Sequence, residues 1–197
     1  MARSKVSQIV IIILAIILLG GALIYYNILA PSDSKQSVGK NVYKEGDACP
    51  NFRLTLFDTQ AQAEEFSLED CKGKVTIINY WQTTCGPCVA ELPYFEKVQN
   101  DYCDEVQVVA VHSYLAVEPV QKFIDNKGWD EWNMMLAWDA YDNKEINSYE
   151  TLGGKGAYPI TIIVDKNGTI FYIRQGELPE ALLREKVVQA IAIPINQ

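Results

Sequence analysis

The chain is 197 residues long, with 17 Lys or Arg, 25 Asp or Glu and a single His, for a formal net charge of −8. That length suits one ordinary domain plus an appendage, and an apolar share of 49% excludes wholesale disorder. The acidic balance argues against nucleic-acid binding, which needs a basic face for phosphates, and five Cys are too few for a disulfide scaffold.

Residues 1–8 form a short basic tail carrying Arg3 and Lys5. Ile9 to Ala30 follow without a charge, and twelve of the first sixteen are Ile, Leu or Val. As a helix this run spans about 33 Å, enough for a hydrocarbon core of about 30 Å. Tyr25 and Tyr26 near its far end suit a membrane interface. The competing reading is a cleaved signal peptide. Its small-residue site, Ile28-Leu29-Ala30, is followed by Pro31, a poor setting for cleavage. The expectation is therefore an uncleaved single-pass transmembrane anchor. Basic residues on its two sides nearly balance, and the short tail is expected inside with the domain outside. Residues 31–45 (PSDSKQSVGKNVYKE) are polar and read as a linker.

Residues 46–194 form the main domain. Phe52 to Phe57 and Glu64 to Ser67 predict a short hairpin. Lys74 to Trp81 (KVTIINYW) is a β-rich apolar run that predicts a buried strand. Pro87 to Asn100 has helical spacing, with Pro93 expected to kink it. Glu105 to His112 predicts a second buried strand, and Val117 to Lys127 a helix ended by Gly128. Met134 to Trp138 predicts a strand and Asn143 to Glu150 a short helix. Ile160 to Asp165 and Thr169 to Arg174 flank Lys166-Asn167-Gly168, a hairpin turn signal. Pro179 to Ile191 predicts a closing helix with Pro179 in its first turn. This order argues an α/β fold, a mixed sheet with helices on both faces.

The sharpest chemical signal is Cys85-Gly86-Pro87-Cys88, placed between a predicted buried strand and the start of a helix. There the first thiol meets unpaired N–H groups and the positive end of the helix dipole, which favour thiolate. Pro87 suits the first turn, where its missing N–H has no partner to lose. Thiolate Cys85 can attack a substrate disulfide, and Cys88 can resolve the mixed disulfide. Half of a zinc site is the first competing reading, but Cys49, Cys71 and Cys103 are isolated and lack metal-ligand spacing. A purely structural disulfide is the second, though so short a loop constrains the unfolded chain little.

The stretch INYWQTTCGPCVAELPYF resembles the active-site segment of the thioredoxin superfamily, and more narrowly the membrane-anchored TlpA/ResA-like thiol-disulfide oxidoreductases. Gly46-Asp47, Pro50-Asn51-Phe52, Gly73-Lys74 and Ala157-Tyr158-Pro159-Ile160-Thr161 extend the resemblance over nearly all of residues 46–194. It implies a thioredoxin-like fold with an N-terminal hairpin and an insert before the cis-proline loop. It also implies Cys85 as exposed nucleophile, Cys88 as buried resolving thiol, and Pro159 as a cis-proline facing them. Glu91, three residues after Cys88 on the same helical face, matches a Glu that acts near the active site in ResA-like proteins. As a partly buried carboxylate it could exchange a proton with the resolving thiol. Two departures stand out. Where thioredoxins carry an acid six residues before the first Cys, this chain has Asn79, as the TlpA/ResA-like branch commonly does. Immediately before the first Cys the common Trp is replaced by Thr84.

The expected function is thus reduction of extracytoplasmic protein disulfides, with electrons from a membrane thiol donor and with no bound cofactor or metal; the resemblance implies apocytochrome c as one substrate. A thioredoxin-fold copper chaperone and a thiol peroxidase stand as alternatives. His112 is expected to be a packed or hydrogen-bonded residue. Trp129, Trp132 and Trp138 are expected in the core or at the rim of the insert.

Overall fold

The computed structural model describes residues 43–57, 65–113, 116–139 and 157–196. The chain divides into two units at Gly39/Lys40. The first unit, with the expected tail and transmembrane segment, lies outside the described residues, as do most of the expected linker and the expected helix from Asn143 to Glu150. Among the described residues no helix is long and apolar enough to cross a membrane.

Strands β1 (Arg53–Leu56) and β2 (Glu65–Ser67) pair antiparallel, with buried Leu54 opposite buried Phe66. Strand β3 (Val75–Trp81) is buried at every position. Such a two-sided apolar run belongs in the middle of a sheet. Helix α1 (Gly86–Asp101) follows it, running on past Pro93 to Asp101. Strand β4 (Val106–Ser113) leads into helix α2 (Val117–Lys127), which ends where Gly128 takes the left-handed conformation, φ 67°. A 3-10 turn at Trp129–Glu131 then precedes strand β5 (Met135–Asp139). Strands β6 (Ile160–Val164) and β7 (Ile170–Gln175) form the expected hairpin, with Gly168 at φ 81° in its turn. Helix α3 (Glu180–Ile191) closes the domain. Pro179 is its N-cap and not part of its first turn: its carbonyl already accepts the Leu183 N–H at 2.9 Å while its own backbone stays extended, ψ 141°.

The sheet order is β2-β1-β5-β4-β3-β6-β7. Strand β3 is parallel to β4, with Trp81 opposite His112, and antiparallel to β6, with Asn79 opposite Thr161. Strand β5 is the insert, parallel to β4 on one side and antiparallel to β1 on the other. This is a thioredoxin-like α/β fold with a mixed sheet.

Helices were expected on both faces; among the described residues all three α-helices feed one apolar cluster. Leu92, Phe95 and Val98 of α1, Val120 and Ile124 of α2, and Leu183 and Val187 of α3 meet Ile77 and Trp81 there. The opposite cluster joins Ile78, Tyr80, Val109 and Val111 to Phe52, Leu54, Phe66 and Leu68 of the leading segment. A period-2 strand pattern specifies two faces but not what covers each. Trp129 is buried and stacks on half-buried Trp132 at 4.5 Å, so these two line the helical side as core and rim.

Two polar side chains fix α1 against the sheet. Gln99 Oε1 accepts the Val108 N–H at 2.8 Å, and the Glu96 carboxylate accepts the N–H groups of Asn133 and Met134 at 3.0 and 2.9 Å. The bonds to Val108 and Met134 pair buried backbone donors that would otherwise be costly to leave unmade, and together the three hold the helix that carries Cys88 and is capped by Cys85.

Candidate active site

The chain leaves β3 at Trp81, turns, and enters α1 at Gly86. The turn is closed by the Cys85 N–H donating to the Gln82 carbonyl at 3.0 Å. Cys85 is the N-cap of α1, with φ −94° and ψ 99°. Its Sγ accepts the Cys88 N–H at 3.3 Å, so the sulfur stands where a helix leaves its first amides without internal partners. Cys85 and Cys88 are joined in a disulfide, Cα atoms 5.3 Å apart. Their exposure differs: Cys85 is half-buried beside exposed Gly86 and Pro87, whereas Cys88 is fully buried in the helical cluster.

One turn further on, Glu91 is fully shielded from solvent. Its Oε1 accepts from Asn79 Nδ2 at 2.9 Å and its Oε2 accepts the Leu178 N–H at 2.8 Å. Asn79 Nδ2 also donates to Thr161 Oγ1 at 3.1 Å. Burial pushes the Glu91 carboxyl up to about 7, because charge is poorly solvated there. The bonds from Leu178 and Asn79 pull it back in part, and Glu177 and Arg174 act as smaller opposing charges. A carboxyl with that affinity exchanges protons at neutral pH.

The Tyr158–Pro159 peptide bond is cis, and Pro159 is buried at the head of β6, with Tyr158 half-buried before it. The Pro159 carbonyl accepts the Gly176 N–H at 2.8 Å, tying the loop to the end of β7. Because β6 is the antiparallel neighbour of β3, with Ile160 opposite Tyr80, this loop and the cysteine turn lie at the same end of the sheet.

Sequence reasoning did not find Thr161 or the Leu178 amide as partners of the buried polar group. Thr161 was within reach: it follows the proline loop on a strand whose antiparallel register with β3 brings it to Asn79. Leu178 contributes only its backbone, which leaves no mark on side-chain patterns.

The three remaining cysteines are free. Cys49 is half-buried, Cys71 buried and Cys103 exposed. Burial pushes the Cys49 thiol up to about 12 and raises Cys71 as well, so neither is an activated nucleophile. Cys49 and Cys71 line a cavity of about 250 Å³ together with Lys74, Thr76, Val164 and Asp165. Its wall includes the start of β3 and the end of β6, the opposite end of the sheet from Cys85. His112 is fully buried, and its Nε2 accepts the Thr83 N–H at 3.1 Å.

Residues 44–191 match the Redoxin family. Thioredoxin-like protein YneN of Bacillus subtilis (strain 168) is 32% identical over 155 residues, covering 78% of this chain and 83% of that protein. Thiol-disulfide oxidoreductase ResA of Oceanobacillus iheyensis is 31% identical over 138 residues, covering 70% and 68%. Among solved structures, the thioredoxin domain of a thiol-disulfide oxidoreductase from Bacteroides vulgatus superposes with a TM-score of 0.61 at 21% identity, over 75% of this chain and 99% of that one, a likeness of fold. With the mixed sheet and a half-buried cysteine at a helix start already in place, these matches make the chain a member of the Redoxin family and a TlpA/ResA-like thiol-disulfide oxidoreductase of the thioredoxin superfamily.

Proposed function

We propose that this protein is a membrane-tethered extracytoplasmic enzyme that reduces protein disulfides through Cys85 and Cys88. The observation that carries the reading is the unequal burial of the two sulfurs at the start of α1: one half-buried over free helix amides, the other sealed beneath. In the reduced enzyme Cys85 thiolate attacks one sulfur of a substrate disulfide. A mixed disulfide forms and the substrate's second sulfur leaves as thiolate, taking a proton from solvent. Cys88 then loses its proton to the Glu91 carboxylate and attacks Cys85 Sγ. The substrate sulfur held in the mixed disulfide departs as thiolate and takes up a proton, and the enzyme disulfide closes. Two electrons pass from the enzyme dithiol to the substrate, and a membrane thiol donor returns them.

Pro159 has no N–H to offer, so the backbone beside it is open to an extended substrate segment. Thr84 in place of a bulky aromatic leaves the approach to Cys85 open. The uncharged run Ile9 to Ala30 supports tethering. Apocytochrome c cysteines awaiting haem fit as substrate by analogy with ResA-like proteins.

The test is Cys88→Ala in the native host. Cys85 is expected to accumulate mixed disulfides, whose partners identify the substrates. A folded, expressed variant that traps nothing defeats the proposal.

A further inference from the structure

The turn from β3 into α1 spans Gln82 to Cys85 and is closed by the bond between its first carbonyl and its last N–H. In such a turn the amide of the second residue, here Thr83, has no partner within the turn. Thr83 is half-buried, so its amide calls for an acceptor from elsewhere in the fold. His112 Nε2 supplies it at 3.1 Å, from the neighbouring strand β4.

The imidazole is otherwise poorly served. It lies edge-on to Trp81, ring centroids 4.9 Å apart, and its Nδ1 is buried with no hydrogen-bond partner among the described residues. Since Nε2 accepts, the proton of the neutral ring sits on Nδ1. Burial holds the ring neutral, pulling its pKa down to about 4. A Phe would fill the same space without a stranded N–H. What the imidazole adds is an acceptor aimed at the turn that delivers Cys85.

We propose that His112 is a positioning residue that acts through the Thr83 amide to hold Cys85 Sγ over the first amides of α1, and so sets the reactivity of that thiol. This rests on the reading of Cys85 as the nucleophile. Losing the acceptor frees Thr83 and relaxes the turn, and the sulfur loses alignment with the amides that favour its thiolate form.

The test compares wild type, His112→Phe and His112→Gln in the full chain, reduced, following alkylation of the Cys85 peptide by mass spectrometry across pH. His112→Phe is expected to move the Cys85 inflection upward. The rate below the inflection should fall about three- to tenfold, the range a lost hydrogen bond spans, with an unchanged plateau at high pH. His112→Gln places an oxygen near the Nε2 position and is expected to recover the rate to within about twofold. An unchanged profile in a folded His112→Phe overturns the proposal. Equal slowing in both variants overturns it too, since ring packing would then be the cause. Should His112→Phe fail to fold, nitrogen NMR of the wild-type ring decides: the Nδ1–H tautomer at neutral pH with a protected Thr83 amide is expected, and the Nε2–H tautomer refutes the assignment. Because alkylation needs no protein substrate, its outcome is separate from trapping. An acidic Cys85 that depends on His112 but traps no partner would leave this inference standing and defeat the functional one.

Discussion

Asn79 and Glu91 meet at 2.9 Å, one from β3 and one from α1, and neither is reached by solvent. The amide serves the carboxylate with a donor yet carries no charge of its own. Burial therefore outweighs the hydrogen bonds and the weak, opposing charges of Arg174 and Glu177, and that is why the Glu91 proton is held to about pH 7.

If Glu91 takes the Cys88 proton, resolution of the mixed disulfide speeds up as the carboxyl ionises. The wild-type rate is expected to rise through an inflection near pH 7, and Glu91→Gln is expected to lose that inflection and slow about a hundredfold, a typical loss for one proton-transfer group. Stopped-flow release from a preformed Cys85 mixed disulfide measures both. An inflection retained in Glu91→Gln would assign the proton transfer elsewhere.

Glu91 and His112 should pull stability in opposite directions with pH. The folded pKa of Glu91 is raised from 4.5 to about 7, so the native state holds a proton the unfolded chain has lost, and stability falls as pH rises across that window. The folded pKa of His112 is lowered from 6.5 to about 4, so the unfolded chain binds the extra proton, and stability falls as pH drops across that window. Between about 4.5 and 6.5 the two slopes, each about 1.4 kcal/mol per pH unit, cancel. Urea titrations at half-unit steps check this. Relative to wild type, Glu91→Gln should gain stability with rising pH in that range, and His112→Phe should lose it.

The free cysteines should label unequally. In oxidised native protein, iodoacetamide at pH 8 is expected to modify Cys103 readily and to spare Cys49 and Cys71, which are held protonated by burial. Peptide mapping with and without urea distinguishes the three. Fast native labelling of Cys71 would show that the cavity wall opens.

Gly128→Ala should destabilise by about 1 kcal/mol, read as a lower urea midpoint. The residue caps α2 at φ 67°, where a Cβ is strained although no atom lies within 4 Å to clash with it.

Much of the fold was legible because the strongest local signals agree with the tertiary answer. The β-rich KVTIINYW run, bounded by turn residues, reads as a buried strand, and Gly128 and Lys166-Asn167-Gly168 are stops whose chemistry is local. The placement of Cys85 and Cys88 was equally legible, since a strand followed by CGPC and a helix fixes both positions along the chain. Glu91 could be put on the right helical face, but not sealed from solvent: that depends on the Leu178 segment and Asn79 closing over it from 87 residues downstream and 12 upstream. His112 was expected to be packed or hydrogen-bonded, as it is, but its partner could not be named. Its bond to Thr83 arises from the parallel pairing of β3 and β4, and the residues say which strands exist better than which strands lie side by side.

Only one of the two sulfurs can be touched by a macromolecule, and this governs how a captured partner gets away. The attack that frees it comes from within the same molecule, from Cys88 beneath the surface, so departure is a first-order event. Its tempo is written into the distance between two neighbouring thiols and not into the abundance of reductant outside. A partner whose bound sulfur is slow to leave cannot be rescued by crowding in more donor, and dwell time on the enzyme is settled within the complex itself, between that sulfur and the buried thiol that displaces it.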